Sequence, residues 1–135
     1  GLKYYTSGSV GLVAVQDVVE IMVLLVKSDI KNERYILVAE NWSYKTFLQT
    51  IAKALGVKQP DKTAKPWLLH IAWRLDWLKR IITGKRRVLT KHLVKSLTTT
   101  QAYRSEKIEN QLNYKFEPIS KCITRVANLY RKQEV

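Results

Sequence analysis

The fold is decided by residues 10–27, which read VGLVAVQDVVEIMVLLVK. The segment Val10–Val15 is apolar and rich in β-branched residues, which favours a β-strand. Asp17 is a residue type that often caps a helix, and the apolar run after it predicts a helix over Val18–Lys27. We therefore predict a strand that leads directly into a helix.

A strand followed by a helix is predicted again in the rest of the first half of the chain. Arg34–Val38 is the most strand-like segment of the chain, because it combines aromatic and β-branched residues between polar flanks. Asn41 and Ser43 are expected to open a second helix, and Gly56 is expected to end it at the C′ position. The apolar face of this helix consists of Phe47, Leu48, Ile51 and Leu55. The first half is therefore predicted to be β-α-β-α.

The second half is predicted to be mostly helical. Residues 58–65 form a polar loop, after which Pro66 suits the first turn of a long helix that Gly84 ends. The further predicted elements are a helix over Leu89–Leu97, an extended piece at Gln101–Arg104, a helix capped by Ser105 and a helix over Pro118–Lys132. The predicted fold class is α/β, with two or three short strands and about five or six helices.

The 135 residues carry 24 Lys and Arg against 11 Asp and Glu, and 46% of them are hydrophobic, which suits one globular domain. The formal charge of +13 is uneven, since residues 1–60 contribute +2 and residues 61–135 contribute +11. The longest apolar stretch, Val18–Val26, is shorter than the ~20 residues that a membrane-spanning helix needs. The single cysteine, Cys122, is expected to be a small core residue in a reducing, cytoplasmic setting.

The basic cluster Gly84–Arg87, continued by Lys91 and Lys95, is the strongest electrostatic feature. It is either a solvated surface or a patch that binds phosphate, because guanidinium groups chelate phosphate oxygens. Nucleic acid is one version of the second interpretation, through a helix-turn-helix after Leu89. The extended character of Gln101–Tyr103 disfavours that motif, so nucleic acid is not the expected partner.

Catalytic chemistry has little support in the chain itself. His70 and His92 lack a neighbouring carboxylate pattern, and no set of zinc ligands is present. Tyr103 and Lys107 have the Tyr-x-x-x-Lys spacing of short-chain dehydrogenases, but Ser105 is expected to cap a helix that leaves the tyrosine outside. No Gly-x-x-Gly-x-x-Gly element for a dinucleotide occurs either. We therefore predict no catalytic, cofactor-binding or metal-binding residue.

Four segments, taken in order, resemble the carboxy-terminal portion of extended short-chain dehydrogenases, the NAD-dependent epimerase/dehydratase and dihydroflavonol-reductase-like family. They are residues 11–19 (GLVAVQDVV), Glu33–Leu37 (ERYIL), Asn41–Gly56 with its Ala-Leu-Gly end, and Tyr103–Ile119, which contains Leu112-Asn113-Tyr114. Asn113 stands where this family has glycine. The colinear order of the segments covers nearly the whole chain.

The resemblance implies that residues 1–135 are a single carboxy-terminal substrate-binding domain, and that an amino-terminal Rossmann domain is absent from this chain. That missing half would bind NAD or NADP and supply the catalytic tyrosine and lysine of a cytoplasmic oxidoreductase or isomerase. This fragment would then bind no cofactor and be inert alone. The implied partners are a small-molecule substrate, with a nucleotide-sugar as one option, the missing half and, in the parent, a second subunit of a homodimer.

Four residues are candidates for substrate binding. Arg86 and Arg87 are expected to clamp a phosphate or carboxylate, and Lys62 and Trp67 lie near the long loop. Two alternatives stay open: a basic helical domain that binds nucleic acid, and a protein-interaction module that uses the apolar helix surface and the tryptophans.

Overall fold

The computed structural model describes residues 2–64, 71, 74 and 91–133. Their elements are β1 (Tyr4–Tyr5), β2 (Ser9–Leu12), α1 (Val15–Lys27), β3 (Glu40–Ser43), α2 (Tyr44–Leu55), β4 (Lys62–Thr63), α3 (Lys91–Thr98), α4 (Glu106–Leu112) and α5 (Ile119–Gln133). The α/β class is confirmed, and the three elements described after residue 64 are helices. The long helix predicted from Pro66 to Gly84 lies outside the described residues.

The strands form two separate pairs. β2 runs antiparallel to β3, with Ser9 opposite Ser43 and Leu12 opposite Glu40. β1 runs parallel to β4, with Tyr4 opposite Lys62. The second pair brings the first residues of the chain against the loop that follows α2.

The strand predicted over Arg34–Val38 is wrong, because the sheet strand in this region is β3, which begins at Glu40. No strand of the described chain pairs with Arg34–Val38. The buried Ser105 hydroxyl takes the place of a strand partner: it accepts a hydrogen bond from Val38 N at 2.7 Å and lies within 3.0 Å of the Ile36 and Val38 carbonyl oxygens. The pattern of side chains predicts an extended backbone, but a β-strand also needs an adjacent strand with which its backbone forms hydrogen bonds.

The start of α1 also differs from the prediction. The helix begins at Val15, with Ala14 at the N-cap position, so Asp17 lies inside the first turn instead of before it. Asp17 is 4% exposed, and its carboxylate binds groups that precede α5. Long-range partners therefore replace the local capping role that the sequence suggests.

The ends of α2 agree with the prediction. The Ser43 hydroxyl accepts a hydrogen bond from Thr46 N at 3.0 Å, and Gly56 ends the helix with φ at 70°. α4 begins after Ser105, as predicted, although the serine side chain makes no capping bond. Asn113 ends α4 with φ at 48°, a left-handed conformation in which asparagine is tolerated in place of glycine.

Replacing Ser105 by alanine is expected to lower the free energy of unfolding by about 1–3 kcal/mol, because the Val38 amide then loses its buried acceptor. Urea unfolding followed by circular dichroism measures the change. Ser120→Ala, at an exposed position of α5, is the matched control and should stay within about 0.5 kcal/mol of the unchanged chain. Equal stability of the two variants would contradict the role assigned to the Ser105 hydroxyl.

Candidate functional site

A polar depression of about 290 Å³ lies between the start of the chain and the loop after α2. Its lining residues are Leu2, Lys3, Lys58, Gln59, Asp61 and Lys62. All six are exposed, so the depression is open to solvent.

Backbone pairing builds this depression. Lys62 N donates to Lys3 O at 3.3 Å, and Ala64 N donates to Tyr5 O at 2.7 Å. The Gln49 side-chain amide of α2 donates to the carbonyl of buried Pro60 at 3.2 Å, which ties the loop to the helix. Three hydrogen bonds between segments that are separated in the sequence therefore hold the depression together.

The depression is electropositive. It carries three lysines and one aspartate, and none of the three ammonium groups makes an ion pair or hydrogen bond within the described part of the chain. Ammonium groups bind anions as flexible point charges and lack the planar fork of arginine. The arrangement can hold a phosphate or carboxylate group.

Among the predicted substrate-binding residues, the structure places Lys62, in β4 at this depression. Arg86, Arg87 and Trp67 lie outside the described residues, so they stay predictions. Lys3 and Lys58 were not singled out from the sequence. The nearness of Lys3 depends on the parallel pairing of β1 with β4, for which two-residue strands give no sequence signal.

An apolar groove of about 350 Å³ separates α2 from α5. It is lined by Phe47, Ile51, Leu55, Cys122, Ile123, Val126, Ala127 and Tyr130. Three of the four residues predicted for the apolar face of α2 are among them. Cys122 is half-buried in this groove and so is not a fully enclosed core residue. The lining suits an apolar group and offers almost no polar contact.

A polar cluster joins α1 to the segment before α5. Tyr114 OH lies 2.8 Å from both Asp17 Oδ1 and Glu20 Oε2, and Glu117 N donates to Asp17 Oδ2 at 3.1 Å. Burial, together with hydrogen bonds to the two carboxylates, raises the pKa of Tyr114 well above its usual range. The phenol therefore stays protonated and serves as a structural donor.

Arg125 extends this cluster on the α5 side. Its guanidinium donates to Glu117 Oε1 at 2.9 Å and to Gln16 Oε1 at 2.9 Å. The hydrogen bonds that Asp17 and Glu117 accept hold the start of α5 against the start of α1. The cluster is a structural clasp, because its carboxylates are already occupied by donors from the protein.

Tyr103 and Lys107 have separate partners in the structure. Tyr103 lies before α4 and its hydroxyl donates to Gln101 Oε1 at 2.6 Å. The Lys107 ammonium pairs with Glu33 and lies 5.0 Å from the ring centroid of Tyr35. The hydrogen bond to Glu33 raises the pKa of Lys107, so the lysine stays charged.

Within residues 2–64, 71, 74 and 91–133, no group of three His, Cys, Asp or Glu side chains is placed to hold a metal ion. None of the helices in these ranges combines the length and the apolar character that crossing a membrane requires.

Comparison with known proteins adds one structural likeness. No protein-family model matches the chain, and no curated protein matches it. A solved structure described as "Crystal structure of gox2253" is similar to it, with a TM-score of 0.74 and 25% sequence identity. The alignment covers 98% of this chain and 40% of that chain. The chain therefore spans about two fifths of the length of the protein it resembles.

Proposed function

We propose that the chain is the substrate-binding portion of a cytoplasmic, NAD(P)-dependent epimerase/dehydratase or reductase. The cofactor and the catalytic tyrosine and lysine would belong to a separate Rossmann half. The alignment with a longer protein over 98% of this chain and 40% of that one supports the idea that this domain is part of a longer chain. The class of activity is taken from the resemblance of four colinear segments to extended short-chain dehydrogenases. A domain that aligns over nearly its full length with part of a longer chain is expected to contribute to the function of that chain.

The electropositive depression supports an anionic substrate. Lys3, Lys58 and Lys62 lie around one concave surface, and their ammonium groups have no partner within the described residues. A diphosphate or carboxylate on the substrate would neutralise these charges. Arg86 and Arg87 remain proposed contacts to an anionic group of the substrate.

The proposed contribution to the reaction is orientation. Holding the anionic end of a substrate fixes the position of its reacting end relative to the cofactor, which lowers the entropy lost on reaching the transition state. The half-buried apolar groove is a separate surface and is not assigned to the substrate. The 135-residue chain alone is expected to bind the substrate weakly and to catalyse no reaction.

Titration with uridine diphosphate glucose, followed by nuclear magnetic resonance, tests the proposal on this 135-residue chain. We expect weak binding that shifts the amide signals of Lys3 and Lys62. Lys62→Ala should weaken the affinity about fivefold, as expected for one exposed charge pair. Lys31→Ala, at an exposed lysine after α1, is the matched control and should leave the affinity unchanged.

Three results would argue against the proposal. The first is binding that Lys62→Ala leaves unchanged, and the second is no shift at Lys3 and Lys62 with any nucleotide-sugar or phosphorylated probe. The third is tight binding of random duplex DNA with a steep loss of affinity in salt, which would favour the nucleic-acid alternative because phosphate contacts release counterions.

A further inference from the structure

The groove between α2 and α5 is lined almost entirely by hydrocarbon. The described side chains around its volume of about 350 Å³ are Phe47, Ile51 and Leu55 of α2 and Cys122, Ile123, Val126, Ala127 and Tyr130 of α5. Among these eight, Cys122 and Tyr130 alone carry a polar side-chain atom, a thiol and a phenol. A group that enters the groove therefore contacts mainly apolar atoms.

The size of the groove suits a small molecule. Its volume is at the lower end of the range of about 300–1,000 Å³ that is typical of small-molecule sites. Val126 and Tyr130 are 55% and 52% exposed, so the groove is open to solvent along one side. A protein partner usually contacts about 20–30 residues, whereas the groove supplies eight. These dimensions favour a slender ligand over a protein surface.

The lining disfavours a ligand that is polar along its whole length. An extended peptide would bring N–H and C=O groups into a groove whose side chains offer them almost no partner, and each unpaired group costs free energy when it leaves water. An alkyl chain has no such groups, and every CH₂ that leaves water contributes favourably to binding. The part of the ligand that lies in the groove is therefore best matched by an alkyl chain.

The two helices that form the groove are basic and contain no Asp or Glu. Their basic residues are Lys45, Lys53, Lys121, Arg125, Arg131 and Lys132. Arg125 pairs with Glu117, and the other five make no ion pair with the described residues. A second copy of the chain would bring the same positive charges to this surface, and like charges repel. An anionic ligand is attracted instead.

Arg131 lies at the end of the groove where an anionic head group would be held. Its guanidinium donates to the carbonyl oxygen of Ala54 at 2.7 Å and so connects the last turn of α5 to the last turn of α2. Leu55 and Tyr130, which are adjacent to these two residues in the sequence, line the groove. A guanidinium has five N–H donors, so the bond to Ala54 leaves donors for a carboxylate.

We propose that the groove between α2 and α5 binds a free fatty acid, with its alkyl chain between the two helices and its carboxylate beside Arg131. A fatty acid matches both the apolar lining and the basic end, whereas a neutral hydrocarbon matches the lining alone. The groove is separate from the depression at Lys3, Lys58 and Lys62, so this ligand site is independent of the proposed function.

Titration of the 135-residue chain with dodecanoate, kept below its micelle concentration, tests the proposal. We expect the methyl signals of Ile51, Ile123 and Val126 to shift together in nuclear magnetic resonance spectra. The affinity should fall about fourfold for each CH₂ removed from the alkyl chain. Dodecyltrimethylammonium, which has the same alkyl chain and a cationic head, should bind about tenfold more weakly or worse. These ligand series need no substitution in the protein, so they do not depend on the folding of a variant.

Matched substitutions locate the ligand. Val126→Asp places a carboxylate in the groove and should weaken dodecanoate binding about tenfold or more. Leu129→Asp, at a 56% exposed position of α5 outside the lining, is the control and should leave the affinity nearly unchanged. Arg131→Gln removes the charge and keeps an amide donor, so about a fivefold loss is expected. Arg104→Gln, at a side chain that is 83% exposed, is its control.

Several results would overturn the proposal. One is the absence of shifts at the three groove residues, and another is equal affinity for dodecanoate and dodecyltrimethylammonium. An equal loss of affinity in Leu129→Asp and Val126→Asp would place the ligand elsewhere. Binding of phosphatidylglycerol vesicles without binding of free dodecanoate would make a membrane surface the occupant. A dimer of the unliganded chain that Val126→Asp dissociates, measured by sedimentation, would make a second copy the occupant.

Discussion

Replacing Asp17 by alanine is expected to lower the free energy of unfolding by about 3 kcal/mol. The carboxylate is 4% exposed and receives hydrogen bonds from Tyr114 OH and Glu117 N, so its loss leaves Glu117 N without its charged acceptor and Tyr114 OH with Glu20 alone. The clasp between α1 and α5 would then open. Thermal unfolding followed by circular dichroism should show a midpoint roughly 10 °C lower.

Two controls separate this effect from a general loss of charge. Asp29→Ala removes an exposed aspartate just after α1 and should leave the midpoint nearly unchanged. Tyr114→Phe removes one donor and keeps the ring that packs edge-on against Phe116, so about 1 kcal/mol is expected. If Asp17→Ala unfolds at the same temperature as Asp29→Ala, the clasp does not stabilise the fold.

Replacing Ile21 by alanine is expected to cost about 3 kcal/mol, within the range for buried isoleucine. Ile21 has no exposed surface, and alanine would leave a cavity that the surrounding helices cannot fill without moving. Urea unfolding measures the loss. Val19→Ala, on the 53% exposed face of the same helix, shortens a side chain at little cost and serves as the control.

The comparison of Ile21 with Val19 also tests how the two faces of α1 are packed. In the 135-residue chain the two substitutions should differ by about 2 kcal/mol or more, because only Ile21 is packed. An equal cost of the two substitutions would contradict the burial that the structure assigns to α1.

Much of the local structure is predictable from neighbouring residues. The spacing of apolar residues in Tyr44–Leu55, the capping serine at position 43 and the glycine at position 56 together mark both ends of α2 correctly. These features act within one or two turns of the chain, so the sequence around them contains the information they need. The helices over Glu106–Leu112 and Ile119–Gln133 are also predicted within a few residues.

Two of the wrong predictions have a common cause. Arg34–Val38 has the composition of a strand, and Asp17 has the chemistry of a helix cap, yet each is bound by a residue far along the chain. Ser105 satisfies the first through its hydroxyl, and Tyr114 and Glu117 occupy the carboxylate of the second. Local propensity does not contain these partners.

The features of the candidate site also fall into those that local sequence predicts and those that depend on tertiary contacts. The sequence by itself determined the helical periodicities, both ends of α2, the excess of positive charge and the choice of Lys62 as a candidate, because all of these depend on residue type and short spacing. Only the tertiary structure brought Lys3 to Lys58 and Lys62, buried Asp17 and left one face of α1 exposed. Those features arise from contacts between segments distant in the chain, which form only when the whole domain is packed.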